Sequence, residues 1–257
     1  PILNQDPENG FMILEDLGDD LFARVIPKTP DSEHELYTAA TDVLVTLHAA
    51  DQPVLDHYSA PLMTELAMLA LTKYATAIAG PVGDATMARF QSRFEDILHD
   101  TTHGPVVLIQ RDYHAENLLW LPERSGIARV GLLDFQDAML GHPAYDLVSL
   151  LQDARRDVPA EIELSMTRRF IDRSGADEHG FRTAYAVLGV QRNLRILGVF
   201  ARLSLDYGKP HYVDLIPRVW AHLRRGLDHP AMAPVADLLL RTLPLPTADN
   251  LNRLKRA

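Results

Sequence analysis

Apolar positions recur at helical spacing along most of the chain. From Leu36 onward they fall at i, i+4, i+7, i+8 and i+11, which is one face of a helix. Pro30, Ser32 and Glu35 precede this pattern and predict a helix start with a capping box. Further helices are predicted over residues 61–79, 84–98, 145–156, 160–174, 178–206, 211–228 and 231–242.

Short continuous apolar runs are confined to the start and the centre of the chain, and they predict β-strands. These runs are FMILEDL (11–17), VVLI (106–109), NLLWL (117–121) and VGLLDF (130–135). The turn-forming PERSG joins the last two runs, so residues 117–135 form a predicted hairpin. The expected fold class is α+β and mainly α, a helical bundle with a small β insertion at about 106–135.

The composition narrows the function. The chain has 257 residues, of which 47% are apolar and 23% are charged, as in an ordinary globular protein. A net charge of −10 argues against general nucleic-acid or anionic-membrane binding, since both need basic surface. There is no cysteine, and we find no uncharged apolar run of about 18 residues that would predict a membrane span. The lack of cysteine fits a cytoplasmic protein, and the charge still allows one small phosphate compound to bind through a few local groups or a metal.

The stretch QRDYHAENLLW (110–120) places a polar segment between two apolar strands. The hairpin returns Asp134 to the end of the sheet where Asn117 begins its strand. A carboxylate and an amide oxygen suit Mg²⁺, which keeps waters and phosphate oxygens as its other ligands. Asp112, held off the metal, can accept a proton from a substrate hydroxyl. Metal, base and hydroxyl together indicate phosphoryl transfer.

The order D-x-x-x-x-N followed by an apolar-Asp-Phe is also the catalytic-loop pattern of kinases. The segments QRDYHAENLLWL and VGLLDFQDAMLGHPAYDLVSLL resemble the aminoglycoside phosphotransferase and choline kinase family of the protein-kinase-like fold. RDYHAENLLWL, LLDFQDA and QRNLRILGVFARL are similar to one branch in particular. That branch contains the bacterial anomeric sugar kinases of cell-wall recycling, which act on N-acetylmuramate and N-acetylglucosamine.

This resemblance implies a role for several residues. Asp112 corresponds to the catalytic base, and Asn117 and Asp134 correspond to the Mg²⁺ ligands. The segment ILEDLGDD resembles the hinge between kinase lobes, where backbone groups near Glu15 and Leu17 would bind the adenine of ATP. The implied cofactors are ATP and Mg²⁺.

The resemblance also implies a lobe organisation and shows two departures. Residues 1–20 would be the last N-lobe strand and the hinge, and residues 21–257 the C-lobe, with the N-lobe largely absent. We expect the chain alone to turn over little, because the N-lobe carries the phosphate-covering loop and its Lys. Gln110 replaces the family's usual His, and we expect only a modest structural change. Asp146 resembles the helix-start Asp that braces the catalytic loop.

Four residues have an open choice between substrate contact and a structural role: His114, Asp137, Arg192 and Arg195. Either arginine suits a substrate carboxylate or a structural ion pair, and the neighbouring Gln191 and Asn193 share this uncertainty. His99 and His103 have the i, i+4 spacing of a zinc site but lack a third ligand, so we interpret them as a helix end. Trp120 and Trp220 are predicted core residues.

Two other functions remain alternatives. An aminoglycoside, choline or homoserine kinase would use the same chemistry on another acceptor, although arginine in QRNLR would repel a cation. A non-catalytic kinase-like binding module is the alternative of another class. The intact Asp112, Asn117 and Asp134 argue against it, because a decayed site would be expected to lose at least one of them.

Overall fold

A long helix, α8 (Glu178–Tyr207), lies in the middle of the protein in the computed structural model, which describes residues 2–255. Residues 187–194 of this helix are all buried, so it is packed on every side. It contacts α3, α6 and α9, whose bounds follow. The Asp177 side chain caps its start by accepting from the Gly180 N–H at 2.7 Å, and Gly208 ends it with a φ of 62°.

Helices make up most of the described chain, as predicted. The other α-helices within residues 2–255 are α1 (Phe22–Lys28), α2 (Glu33–Ala49), α3 (Ala60–Ala67), α4 (Thr76–Ala79), α5 (Asp84–Thr101), α6 (Ala144–Leu151), α7 (Ala160–Ser174), α9 (Ile216–Leu227), α10 (Ala233–Thr242) and α11 (Ala248–Lys255). The sequence patterns did not predict α1 or α11. The predicted capping box is wrong, because the Ser32 hydroxyl donates to the Thr29 carbonyl at 2.7 Å and makes no cap bond. The helix predicted to reach residue 156 ends at Leu151.

The strands of the described chain form three separate antiparallel pairs. They are β1 (Ile2–Asp6), β2 (Phe11–Leu14), β3 (Val107–Ile109), β4 (Leu118–Trp120), β5 (Val130–Leu132) and β6 (Met139–Gly141). The predicted hairpin is confirmed, since β4 pairs with β5 in the register Leu118 to Leu132. β2 pairs with β1 and β3 pairs with β6, and neither of these partner strands was predicted.

The segment after β2 is attached to the central hairpin. The Asp16 carboxylate accepts from the Gly18 N–H at 2.8 Å, and Gly18 has a φ of 73°. The Trp120 N–H then donates to the Asp20 carbonyl at 2.8 Å, and Leu21 forms a β-bridge with Leu119. The predicted hinge segment therefore runs along the outer edge of β4.

The predicted helix over 61–79 is a continuous helical run with a π-helical turn at Ala70–Ala75. The run approaches α8 very closely just before this turn. A Cβ placed on Gly198 would lie 2.3 Å from the backbone carbon of Leu69, so only glycine fits there. The close approach explains why an apolar helix such as α8 carries a glycine at this position.

The same run, Ala60–Ala79, is long and apolar enough to cross a membrane by length and composition, with a mean hydropathy of 1.2. The sequence analysis found no such span. The run packs against α5 and α8, and 44% of its apolar window is buried inside the protein. Helices in protein cores meet the same criterion, so it is weak evidence for a membrane span.

The core contains both tryptophans, as predicted. Trp120 and Trp220 are each 8% exposed. The Trp120 ring meets Phe22 edge-on at a centroid distance of 6.0 Å, which connects the β4–β5 hairpin to α1.

Candidate active site

The loop between β3 and β4 is held in place by a buried carboxylate on the first turn of α6. Asp146 is fully buried and accepts from the backbone N–H groups of Gln110 at 2.6 Å and Arg111 at 2.9 Å. Burial raises the pKa of Asp146 to about 7, against the effect of these two hydrogen bonds. The bonds confirm that Asp146 braces the loop. The bond to residue 110 uses its backbone, which fits the modest change expected from Gln110.

Arg111 turns the chain sharply at the start of this loop. Its φ of 70° lies in the left-handed region, which costs a non-glycine residue on the order of 1 kcal/mol. Its guanidinium donates to the Asp137 carbonyl at 3.2 Å and lies 5.2 Å from the centre of the Tyr58 ring. Contacts from both sides thus hold the strained backbone beside Asp112.

The Asp112 carboxylate remains available within this fixed loop. Asp112 is half-buried, and no residue in the described range donates a hydrogen bond to its carboxylate. Its backbone carbonyl accepts from the Asn117 side-chain amide at 2.9 Å, and the Asn117 N–H donates to the His114 carbonyl at 2.8 Å. The loop is therefore closed by backbone groups and the Asn117 side-chain amide, and the Asp112 carboxylate takes no part in these bonds.

Asn117 and Asp134 lie side by side, where the hairpin was predicted to bring them. The Asn117 amide nitrogen is 3.4 Å from an Asp134 carboxylate oxygen. The pairing of Leu118 with Leu132 and a hydrogen bond from the Leu133 N–H to the Asn117 carbonyl at 3.0 Å produce this proximity. Asp134 is exposed and has a φ of 58°, so the strand stops there and its side chain turns toward the loop.

The donor set suits a hard cation that brings most of its own ligands. The Asn117 amide nitrogen is bound to the Asp112 carbonyl, which leaves its oxygen available. One Asp134 oxygen accepts from Gln136, and the other faces Asn117. Two side-chain oxygens are what Mg²⁺ needs when waters and phosphate oxygens complete its octahedron.

Within residues 2–255 there is no cluster of three or more His, Cys, Asp or Glu side chains that would cage a metal alone. The His99 side chain is 83% exposed at the end of α5 and contacts only the neighbouring Asp100 carboxylate. This agrees with the interpretation of His99 and His103 as a helix end.

His114 contacts protein groups on the far side of the loop. It is 4% exposed, and burial lowers its pKa to about 4, so the ring is neutral near pH 7. Its Nε2 accepts from the Arg155 guanidinium at 3.2 Å, and Arg155 also pairs with Glu116 at 2.8 Å. The loop-bonding alternative for His114 accounts for these contacts.

Asp137 also contacts the loop, but through its backbone. Its carbonyl accepts from Arg111, and no described residue donates to its exposed carboxylate.

In the predicted hinge segment, the Glu15 carboxylate pairs with Arg124 at 2.5 Å. A Cβ on Gly131 would lie 2.9 Å from the Leu17 side chain, so Leu17 packs directly over β5.

Within the described residues, neither Arg192 nor Arg195 forms the structural ion pair that was one alternative for them. Arg192 is 3% exposed and donates to the Ser149 hydroxyl at 2.7 Å. Burial alone would lower the pKa of Arg195, but nearby Tyr145, Tyr58 and Asp112 raise it above its ordinary value. Among the described residues, no acid lies within 4.0 Å of either guanidinium.

The neighbouring polar residues of α8 have structural roles. The Gln191 amide donates to the Met63 carbonyl at 2.8 Å, and the Asn193 amide donates to the Gln152 side chain at 2.9 Å. Sequence analysis missed Arg155, because residues 145–156 were interpreted as one helix. The polar run QDARRD after LVSLL was the available sign that the helix ends and a loop begins.

The fold and the site together define a kinase-like phosphotransferase. A choline/ethanolamine kinase family protein from Mesorhizobium loti superposes on this chain with a TM-score of 0.63 at 13% identity, covering 100% of this chain and 77% of that chain. The profile of the APH phosphotransferase enzyme family matches residues 2–184. The chain belongs to this family.

Two curated relatives have the same name. The N-acetylmuramate/N-acetylglucosamine kinase of Caulobacter vibrioides is 41% identical over 96% of this chain and 70% of its own length. Its namesake from Pseudomonas aeruginosa is 31% identical over 93% of this chain and 71% of its own length.

Proposed function

We propose that this chain carries the catalytic lobe of an ATP- and Mg²⁺-dependent kinase that phosphorylates the anomeric hydroxyl of an N-acetylated amino sugar. The observation that carries the proposal is the free Asp112 carboxylate in a braced loop beside the Asn117 and Asp134 oxygens. The names of the curated relatives support the acceptor class. The corresponding place in the cell is the cytoplasm, in the recycling of cell-wall sugars.

In this proposal Asp112 orients the sugar hydroxyl and accepts its proton. General-base residues contribute about 10²- to 10⁴-fold to rates, provided they are fixed within hydrogen-bonding reach of the proton. The bonds from Asp146 to the loop backbone hold Asp112 at that position. Mg²⁺, held by Asn117 and Asp134, would supply positive charge to the phosphate oxygens.

The nucleotide would approach from the side of the hinge segment. We assign residues 1–20 to the last N-lobe strand and the hinge, with backbone groups near Glu15 and Leu17 facing the adenine edge. Residues 21–257 form the C-lobe in this assignment. The contact of Leu17 with β5 and the bond from Trp120 to Asp20 support it, because they hold the segment against the hairpin that carries the metal ligands.

The test is an acceptor screen with ATP and Mg²⁺. It covers N-acetylmuramate, N-acetylglucosamine, choline, homoserine and an aminoglycoside, with ADP release as the readout and ³¹P NMR to locate the new phosphate. We expect an anomeric phosphate on the amino sugars only. The screen is run on this chain and on the product of the complete reading frame that encodes it.

Other results would separate the alternatives. Phosphorylation of choline, homoserine or the aminoglycoside in preference to the sugars would replace the proposed acceptor while keeping the chemistry. No ADP release with any acceptor from the complete reading frame would favour a non-catalytic binding module.

A further inference from the structure

A cavity of about 150 Å³ lies directly beside Asp112. Three arginines line it, Arg155 from the segment after α6 and Arg192 and Arg195 from α8. Val199 and Phe200 belong to its apolar wall. A pocket with one cationic side and one apolar side beside the catalytic base is suited to part of the acceptor.

Arg192 carries hydrogen-bond donors that the protein leaves unused. It is 3% exposed, and its only recorded hydrogen bond within residues 2–255 goes from Nη2 to Ser149. The Nε and Nη1 atoms are buried and have no partner. A buried charged donor without an acceptor costs free energy, so its presence at the wall of a cavity indicates an absent anionic partner.

Among the described residues, the acids near this cavity form no close ion pair with Arg192 or Arg195. Both Asp146 oxygens accept from backbone N–H groups, and one Asp153 oxygen accepts from the Arg155 N–H at 2.8 Å. Arg155 is paired with Glu116, but Arg192 and Arg195 have no described acid within 4.0 Å. Asp112 is the only acid among the residues that line the cavity, and the buried Asp146 also interacts electrostatically with Arg192.

We propose that this cavity binds a carboxylate of the acceptor and that Arg192 and Arg195 are the specificity-determining residues. The proposal rests on the proposed function and names the acceptor more closely, as an N-acetylated sugar acid such as N-acetylmuramate. Guanidinium groups match carboxylates in charge and geometry. The apolar wall would contact the carbon chain that carries the acid.

The first experiment compares two acceptors that differ in one charge. N-acetylmuramate and its methyl ester are assayed with the product of the complete reading frame, and their binding is measured by calorimetry on this chain. We expect the acid to exceed the ester by about 10- to 100-fold in kcat/KM and in affinity, the usual range for hydrogen bonds to a charged partner.

The second experiment assigns the preference to residues. In Arg192→Gln and Arg195→Gln, the ratio of kcat/KM for the acid to kcat/KM for the ester falls toward 1. Arg192→Lys recovers part of this ratio because the charge is retained. The matched control is Arg182→Gln on the same helix, whose guanidinium pairs with Glu178 at 2.9 Å on the surface. The control keeps the wild-type ratio.

The outcomes distinguish a failure of the carboxylate site from a failure of the proposed function. If the wild type gives an acid-to-ester ratio near 1 in both kcat/KM and affinity, the carboxylate site is overturned, while the proposed sugar kinase function still stands. Phosphorylation of neither sugar removes the proposed function, and calorimetry then decides the carboxylate site alone. If Arg192→Gln does not fold, the wild-type ratio and Arg195→Gln still decide, because neither depends on the buried residue being replaced.

Discussion

Asp146 and Asp134 are two carboxylates that flank the same loop, yet the protein treats them in opposite ways. Asp146 is fully buried, and both of its oxygens accept backbone hydrogen bonds. Asp134 is exposed on a strained backbone with a φ of 58°, and its side-chain neighbours are the amides of Asn117 and Gln136. The oxygens of the first carboxylate are filled by the backbone, whereas the second is bound only by side-chain amides and, in our proposal, is a metal ligand.

This difference distinguishes acids that stabilise the fold from acids whose oxygens can bind a ligand. A carboxylate whose lone pairs are filled by the protein stabilises the loop but cannot bind anything else. A carboxylate that accepts only from exposed side-chain amides, or from no donor, gives less stability and can exchange those contacts for a metal or a proton. Asp112 belongs to the same group as Asp134, because its carboxylate accepts no hydrogen bond within the described chain.

The largest expected effect comes from Asp112→Asn. Turnover of the complete protein should fall by about 10²- to 10⁴-fold, because the general base is lost. The substitution removes no protein hydrogen bond, but it removes a negative charge that acts on Arg195. The free energy of unfolding should therefore fall by no more than about 1 kcal/mol. Steady-state kinetics and urea unfolding measure the two quantities.

Asp172→Asn, an exposed acid on α7, is the control for that substitution and should change neither quantity. Turnover of Asp112→Asn within threefold of wild type would remove Asp112 from its role. A large loss of stability would instead place Asp112 with the structural acids.

The second effect is that of Asp146→Ala on stability. The substitution leaves the N–H groups of Gln110 and Arg111 buried without acceptors, at a cost of about 2 to 4 kcal/mol. Urea unfolding measures the loss, with Asp172→Ala as the surface control. If Asp146→Ala unfolds at the wild-type urea concentration, the brace is not a stabilising feature.

A smaller effect concerns pH. Burial raises the pKa of Asp146 to about 7, above its value in an unfolded chain, so the folded protein holds this proton more tightly. Its contribution is therefore present below about pH 4 and is lost as pH rises to about 7, by at most about 1.4 kcal/mol per pH unit. Asp146→Asn removes this titration, so the difference in unfolding free energy between wild type and variant should decrease over that range.

Parallel unfolding curves for wild type and Asp146→Asn across that pH range would contradict the raised pKa. They would mean that the two backbone hydrogen bonds and Arg192 hold the carboxylate ionised despite its burial.

The sequence predicted the parts of this comparison that depend on local periodicity. The β4–β5 hairpin and the meeting of Asn117 with Asp134 follow from two apolar runs joined by a turn. Strand β6 was missed because its pairing with β3 is decided by tertiary contacts. Strand β1 lies one turn before β2, and it was missed because its sequence ILNQD contains no apolar run. The capping box failed because Ser32 belongs to a 3₁₀ turn with helical backbone angles, and its hydroxyl donates to the Thr29 carbonyl.

The arginine cavity shows why candidate site residues are harder to assign. Sequence placed Arg192 and Arg195 on one helix but left open whether an acid would pair with them. Which acids come near depends on how α6, α8 and the loop after α6 pack together, and Arg155 enters the cavity only because α6 ends at Leu151. Charge pairing is a property of the assembled fold, whereas helix periodicity is a property of the chain.

The smallest effect, and the sharpest contrast with Asp146, is that of Asp134→Gly on stability. Glycine adopts a φ of 58° without strain, so the unfolding free energy should stay level or rise by up to about 1 kcal/mol. Turnover and its dependence on Mg²⁺ should be lost in the same variant, because one of the two oxygen ligands is gone. A loss of more than about 1 kcal/mol, well beyond the usual range for surface substitutions, would show that Asp134 supports the fold as Asp146 does. An increase in stability accompanied by lost turnover would identify Asp134 as a residue kept for chemistry at a cost to the fold.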